Sequence, residues 1–114
     1  MKGVRERIQD IKLRLLDTKP IDKSELSRMG IELAALLINV GDMKAQTEQE
    51  AYQLKKDWIV NDDCSDTKAE TFMRASNQWL EYRKVKVLYD SGLELLQMIK
   101  IKIRDVEDEF QNIP

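Results

Sequence analysis

The stretch that decides the fold runs from Thr67 to Phe110 and reads TKAETFMRASNQWLEYRKVKVLYDSGLELLQMIKIKIRDVEDEF. It contains no proline, and its single glycine is Gly92. Its apolar residues recur at steps of three and four, which is the spacing of one helix face. They are Phe72, Ala75, Trp79, Tyr82, Val85, Tyr89, Leu93, Leu96, Ile99, Ile103, Val106 and Phe110. One continuous helix of this length would extend for roughly 65 Å, so the rest of the chain, or other copies of it, must pack along its side.

Two further helices are predicted before this stretch. The first covers residues 2–17 and ends before Pro20, because the residue preceding a proline is pushed out of the α region. The second covers residues 23–59, and Asp22 and Glu25 form the capping box at its start. Its apolar face also follows the heptad spacing and consists of Leu26, Met29, Leu33, Leu36, Val40, Met43, Thr47, Ala51, Leu54 and Trp58. Residues 34–40 are apolar almost all round, so we expect them to be covered from two sides, by the first helix on one of them.

A polar break at residues 60–66 separates the second helix from the last one, which is predicted over residues 67–111 with Thr67 as its N-cap. A short link makes two long helices antiparallel neighbours. The predicted fold is therefore all-α: a single domain over residues 1–114, built as a long antiparallel two-helix hairpin of coiled-coil type with a short N-terminal helix. Lys86 interrupts the apolar face, and we expect a local shift in packing between Val85 and Gly92.

Several apolar residues of the last helix lie off its main apolar face, and two helices cannot cover all of them. Some should cover the first helix, and the others form a surplus that is typical of an interface. The sequence therefore predicts a homo-oligomer that completes a helical bundle. The candidate interface residues are Leu80, Val87, Leu88, Leu95, Met98 and Ile101.

The composition excludes several kinds of chemical site. The chain of 114 residues has no histidine and one cysteine, Cys64, so the commonest general base and Cys-rich zinc sites are absent. The aspartates around Cys64 lack the spacing, the glycine and the closing glutamate of a calcium loop. We therefore expect no cofactor, no metal and no enzymatic activity. No apolar run approaches the ~20 residues of a membrane span, and the single cysteine suits a reducing compartment, which together predict a cytoplasmic protein.

Basic residues on the two long helices are the candidates for ligand binding. The candidate residues are Lys44, Lys55, Lys56, Arg83, Lys84 and Lys86. Tyr82 and Tyr89 flank the last three, and basic groups beside aromatic rings can bind single-stranded nucleic acid. The alternative is an ordinary solvated helix face balanced by Glu–Lys pairs. The net charge of −2 provides no overall field that would attract nucleic acid.

The order of these features resembles the recombination mediator proteins of tailed phages. An apolar-periodic helix is followed by a lysine-bearing helix, a polar break and a last helix that carries Trp79, then Tyr-Asp-Ser-Gly-Leu-Glu-Leu-Leu at residues 89–96, and a lysine-rich end. The resemblance covers roughly residues 24–106. It implies helical hairpins assembled into rings in a bacterial host, which load a recombinase onto single-stranded DNA and displace the single-strand-binding protein. It also implies that the six basic candidates contact phosphates.

Two classes of function stay open from the sequence. The first is a non-enzymatic helical oligomer that binds single-stranded DNA as a recombination mediator. The second is a protein–protein interaction module, such as an adaptor, an inhibitor or a virion assembly factor, that does not bind nucleic acid. The second class would depend on exposed apolar residues such as Leu88, Leu95 and Met98.

Overall fold

The computed structural model of the protein describes the backbone of residues 3–111 and the side chains of residues 3–109. Within this range the chain forms four helices and no strand: α1 (Val4–Leu16), α2 (Lys23–Asn61), α3 (Asp66–Arg74) and α4 (Asn77–Gln111). The prediction of an all-α fold is confirmed. The predicted first helix includes residue 2, and the predicted apolar face of the last helix includes Phe110. Residue 2 and the Phe110 side chain lie outside the described residues, as do the residues after Gln111.

The chain divides into two compact units. Unit 1 comprises residues 1–39 and 90–114, and unit 2 comprises residues 40–89. Unit 1 contains α1 and the adjoining portions of α2 and α4, whereas unit 2 contains α3 and the remaining portions of those two long helices. The prediction of a single domain stays a prediction.

In unit 1, α1 packs antiparallel to α2. Arg7 pairs with Glu32, and Arg14 pairs with Glu25 through Nε and Oε1 at 2.7 Å, so the two helices run in opposite directions. The apolar residues of α1 recur at heptad spacing, and three of them, Ile8, Ile11 and Leu15, are buried at 4% exposure or less. α2 begins as predicted, because the Asp22 carboxylate accepts a hydrogen bond of 2.7 Å from the Glu25 backbone N–H. The unit 1 core also contains Leu26, Met29, Leu33, Leu37, Leu95 and Ile99.

The two long helices are also antiparallel within unit 1, and they approach closely at Gly92. Gly92 is buried, and a Cβ atom placed there would overlap Leu37 Cδ2 and lie 3.3 Å from Leu37 Cγ. Leu93, which was predicted for the apolar face, is 43% exposed, while Leu95 is buried. The prediction for Leu93 was wrong because Gly92 holds the core position against Leu37, and the buried face continues through Leu95 and Ile99 in steps of three and four.

One face of α2 in unit 1 is not covered by α1 or α4. Ile31 is 73% and Ile38 68% exposed, and they are seven residues apart, on the same side of the helix. The expectation that residues 34–40 are covered from two sides was therefore wrong. The ion pairs with α1 are made by Glu25 and Glu32, both before residue 34, and within residues 34–40 only Leu37 and Val40 are buried.

In unit 2, α2 packs against α3 and the start of α4. Ala51 of α2 is fully buried, as are Ala69 and Met73 of α3. The rings of Trp58 on α2 and Phe72 on α3 lie edge to face, with centroids 5.3 Å apart. Phe72 itself is 40% exposed and Ala75 is exposed, so the buried face of α3 differs from the predicted one.

The prediction of a single helix over residues 67–111 was wrong, because the helix is interrupted at Ala75 and Ser76. The hydroxyl of Ser76 donates a hydrogen bond of 2.5 Å to the Met73 carbonyl, which ends α3. The same oxygen accepts one of 3.2 Å from the Trp79 backbone N–H, which caps the start of α4 as serine does at many helix N-termini. α3 itself begins at Asp66 with Ser65, rather than Thr67, as its N-cap.

The contact at Gly92 predicts different effects for two glycine-to-alanine substitutions. Alanine has a better helix propensity than glycine by about 1 kcal/mol, and this gain applies equally to Gly30 and Gly92. At Gly30 the added methyl would meet Ile99 at an ordinary 3.4 Å, whereas at Gly92 it would displace the buried Leu37, which typically costs 1–3 kcal/mol. We expect Gly92→Ala to be less stable than Gly30→Ala by about 1–3 kcal/mol in urea unfolding. Equal stabilities would contradict the close approach of the helices.

The break between α3 and α4 predicts that Ser76 contributes to stability as a cap. Ser76→Ala should lower the free energy of unfolding by about 0.5–2 kcal/mol, because one N–H at the start of α4 loses its partner. Ser91→Ala, at an exposed position inside α4, is the matched control and should be neutral. Thermal unfolding followed by circular dichroism compares the two variants, and an uninterrupted helix would make them alike.

Candidate nucleic-acid interface

All six basic candidate residues lie in unit 2, and the structure separates them by their surroundings. Lys55 is held by two carboxylates, Lys44 lies over the Tyr89 ring, and Lys84 pairs with Glu81 at 3.6 Å. The other three candidates are exposed and form no ion pair with any residue that the structure describes. These are Lys56, Arg83 and Lys86.

Lys55 links α2 to α3 through a network of charges. Its Nζ lies 2.8 Å from Glu70 Oε2 and 3.3 Å from Asp66 Oδ1, and its side chain is only 18% exposed. Glu70 also accepts a hydrogen bond of 3.0 Å from Arg74 Nε through its other oxygen. The hydrogen bond to Glu70 raises the pKa of Lys55, and the hydrogen bonds from Lys55 and Arg74 lower the pKa of Glu70. The positive charge of Lys55 is therefore balanced by carboxylates of the same chain.

A cluster of aromatic rings lies next to this network. The Trp79 ring packs at 5.0 Å against Tyr82 and at 6.3 Å, edge to face, against Tyr52 of α2. The Arg74 guanidinium lies over the Trp79 ring at 5.6 Å. Tyr52 is 40% exposed, so part of this aromatic surface is open to a ligand.

Helix geometry places the two unpaired candidate lysines, Lys56 and Lys86, beside the aromatic cluster. Residues four or seven apart share one face of a helix. Lys56 follows Tyr52 by four positions on α2, and Lys86 follows Tyr82 by four and Trp79 by seven on α4. We call the surface formed by Tyr52, Lys56, Arg74, Trp79, Tyr82 and Lys86 the aromatic–basic surface. Lys56 and Lys86 of this surface are among the binding residues predicted from the sequence, and Tyr82 is one of the two tyrosines that flank the predicted basic group.

Lys44 and Tyr89 form a second pairing of a cation with a ring in unit 2. The Lys44 ammonium lies 5.0 Å from the centre of the Tyr89 ring, and the two residues line a groove of about 240 Å³ together with Gly41, Ala45 and Glu48. Tyr89 also packs against Gly41, where an added Cβ would lie 3.4 Å from its ring. Lys44 is thus partly committed to contacts inside the unit.

The candidate interface residues also fall into different environments. Leu80 is 48%, Val87 65% and Ile101 44% exposed, whereas Leu95 is buried at 7%. Leu88 and Met98 are half-buried. Leu95 is therefore buried within unit 1, and of the six candidate residues Leu80, Val87 and Ile101 are open to a partner.

Comparisons with protein-family models, with curated proteins and with solved structures give no match. Over residues 3–111, none of the helices combines the length and the apolar character that crossing a membrane requires. Nor do the described side chains include a group of three or more cysteines or carboxylates placed to hold a metal ion. The interpretation of the site thus depends on its geometry and on the resemblance described above.

The Lys55–Glu70 pair predicts a specific dependence of stability on pH. Because the pKa of Glu70 is lowered in the folded state, its contribution is present above the ordinary glutamate pKa and is lost as the pH falls through the lowered value. The pKa of Lys55 is raised, so that contribution is present below the ordinary lysine pKa and is lost as the pH rises through the raised one.

We expect Glu70→Gln to be less stable than the wild type near neutral pH, with the difference disappearing in strong acid. Urea unfolding between about pH 2 and pH 7 measures this. Glu81→Gln removes a carboxylate that is 61% exposed and pairs loosely with Lys84 at 3.6 Å, and it should show little difference across the same range. A Glu70→Gln deficit that persists unchanged in acid would exclude the ion pair as its cause.

Proposed function

We propose that the protein is a non-enzymatic helical binding and assembly protein whose ligand is single-stranded DNA, and that it acts as a recombination mediator of the phage type. The observation that carries this proposal is the aromatic cluster of Tyr52, Trp79 and Tyr82 with Arg74 on Trp79. The family resemblance supports it independently, because it had already placed phosphate contacts in this part of the chain.

The aromatic–basic surface has the two components that single strands require. Unpaired bases stack on aromatic rings with a gain of about 1–3 kcal/mol per base, independently of sequence. Lysine and arginine neutralise the backbone phosphates, which makes binding salt-dependent. Lys56 and Lys86 are exposed next to the rings, so a strand with its bases on the aromatic cluster would have cations within reach of its phosphates.

The aromatic rings of this surface, rather than the net charge of the protein, favour single strands over duplexes. With a net charge of −2, the protein lacks the general field that draws proteins to duplex DNA. Binding must then depend on stacking, and the faces of the bases are available only in a single strand. The proposal includes the loading of a recombinase onto the bound strand, because the resemblance to phage recombination mediators implies this step.

A second candidate function is a protein–protein interaction module, and the exposed apolar residues of α4 favour it. Leu80 and Val87 are seven residues apart and 48% and 65% exposed, so they share one face of the helix. Exposed apolar patches of this kind mark interfaces with other proteins. The proposed homo-oligomer would use such surfaces, including Ile31 and Ile38 of α2, and the two candidate functions differ in whether nucleic acid is bound.

Binding of a labelled oligo(dT) strand, measured by fluorescence anisotropy over a range of salt concentrations, tests the proposal. The variant Lys56→Ala/Lys86→Ala should bind more weakly, and its plot of log K against log salt should be shallower by about 1.4, or 0.7 for each lost phosphate contact. Tyr52→Ala should weaken binding by about 1–3 kcal/mol because one stacking surface is lost, while the salt dependence stays unchanged.

Lys100→Ala is the matched control, because Lys100 is an exposed lysine of α4 in unit 1. It removes the same charge and should leave oligo(dT) binding unchanged. If the wild type forms an oligomer by light scattering but does not bind oligo(dT) at low salt, the DNA-binding proposal is wrong and the protein–protein module remains. If Lys100→Ala and the double variant weaken binding to the same extent per lysine, the aromatic–basic surface is not the site.

A further inference from the structure

Glu70 lies between two cations, Lys55 and Arg74, the second of which belongs to the aromatic–basic surface. One of its oxygens lies 2.8 Å from Lys55 Nζ, and the other accepts a hydrogen bond of 3.0 Å from Arg74 Nε. Arg74 in turn lies over the Trp79 ring. A carboxylate bound by two cations has the charge and the acceptor oxygens that a backbone phosphate would offer, so Glu70 stands where a phosphate of a stacked strand would bind.

We propose that Glu70, assisted by Asp66, is an internal competitor of the nucleic-acid phosphate. The inference rests on the proposed function and identifies what regulates that site. In the free protein the two carboxylates of α3 occupy Lys55 and Arg74. When a strand binds, one of its phosphates takes the place of the Glu70 carboxylate beside Lys55 and Arg74. The two cations then contact the phosphate.

The energetics of surface ion pairs make this exchange feasible. A partly exposed pair between a lysine and a carboxylate changes an equilibrium by at most about fivefold, so a ligand can displace it. A polyanion without bases gains little from exchanging one anion for another. A strand with bases gains roughly five- to a hundredfold for each base that stacks, which exceeds the effect of the competitor.

Asp66 and Glu70 differ in their contacts, and this difference predicts which carboxylate competes more strongly with a phosphate. Asp66 lies 3.3 Å from Lys55 and its side chain is 80% exposed, whereas the Glu70 side chain is 27% exposed and binds two cations. Removing the Glu70 charge should therefore release Arg74 and leave Lys55 with the exposed Asp66 alone. Removing the Asp66 charge should affect Lys55 alone and have the smaller effect.

The test compares two labelled ligands of equal length, oligo(dT) and an abasic strand with the same sugar-phosphate backbone, by fluorescence anisotropy. Glu70→Gln should bind both ligands roughly three- to tenfold more tightly than the wild type, because both gain the same two cations. The wild type should bind the abasic strand far more weakly than oligo(dT). Glu94→Gln changes the net charge equally at an exposed position of α4 in unit 1, and it should leave both affinities near those of the wild type.

Each outcome separates the competitor from the proposed function. If the wild type binds oligo(dT) and Glu70→Gln matches Glu94→Gln, Glu70 is not a competitor, although the DNA-binding proposal stands. If the wild type binds neither strand but Glu70→Gln binds both, the competitor is supported and the proposed function of the wild type is not. If no variant binds either strand, both are overturned. Should Glu70→Gln fail to fold by circular dichroism, Asp66→Asn must show a smaller gain in the same direction, and its absence overturns the competitor.

Discussion

The close approach of α2 and α4 at Gly92 is the constraint on which the packing of unit 1 depends. Leu37 lies where the Cβ of any other residue would collide with it, and this position fixes the rotation of both helices about their axes. Leu33 and Ile99 then face the core, and Ile31 remains outside it. Gly92 belongs to the stretch over residues 89–96 that carries the resemblance to the phage mediators, so within unit 1 that stretch provides helix packing.

Much of this fold could be predicted from the sequence, because the signals for helices are local. The start of α2 follows from the Asp22 cap, and the burial of α1 follows from its heptad spacing. The break before α4 was missed for a physical reason. Ala75 keeps nearly helical torsion angles, with φ −90° and ψ −4°, so the steps of three and four continue across the interruption and the pattern of apolar residues does not register it. The hydroxyl of Ser76 was the available signal, since serine is a common N-cap.

The candidate site shows where sequence reasoning stops. Lys55 and Lys56 are neighbours in the chain, but consecutive residues of a helix point about 100° apart. Packing directs Lys55 toward the carboxylates of α3 and leaves Lys56 exposed. Only the tertiary structure decides which of two adjacent lysines is neutralised. The same holds for Tyr52 and Arg74, which reach Trp79 from different helices and carry no sequence signal that connects them.

The separation of α3 from α4 has a consequence for the dynamics of unit 2. α3 has nine residues, fewer than the ~12–15 that an isolated helix needs to be even marginally stable in water. Its order depends on the burial of Ala69 and Met73 and on the two carboxylates that bind Lys55. A segment of this kind opens as a cooperative unit at a lower free energy than global unfolding. The amide protons of α3 should therefore exchange with solvent through local opening while those of the long helices remain protected, and the opened segment would carry Glu70 away from Lys55 of α2.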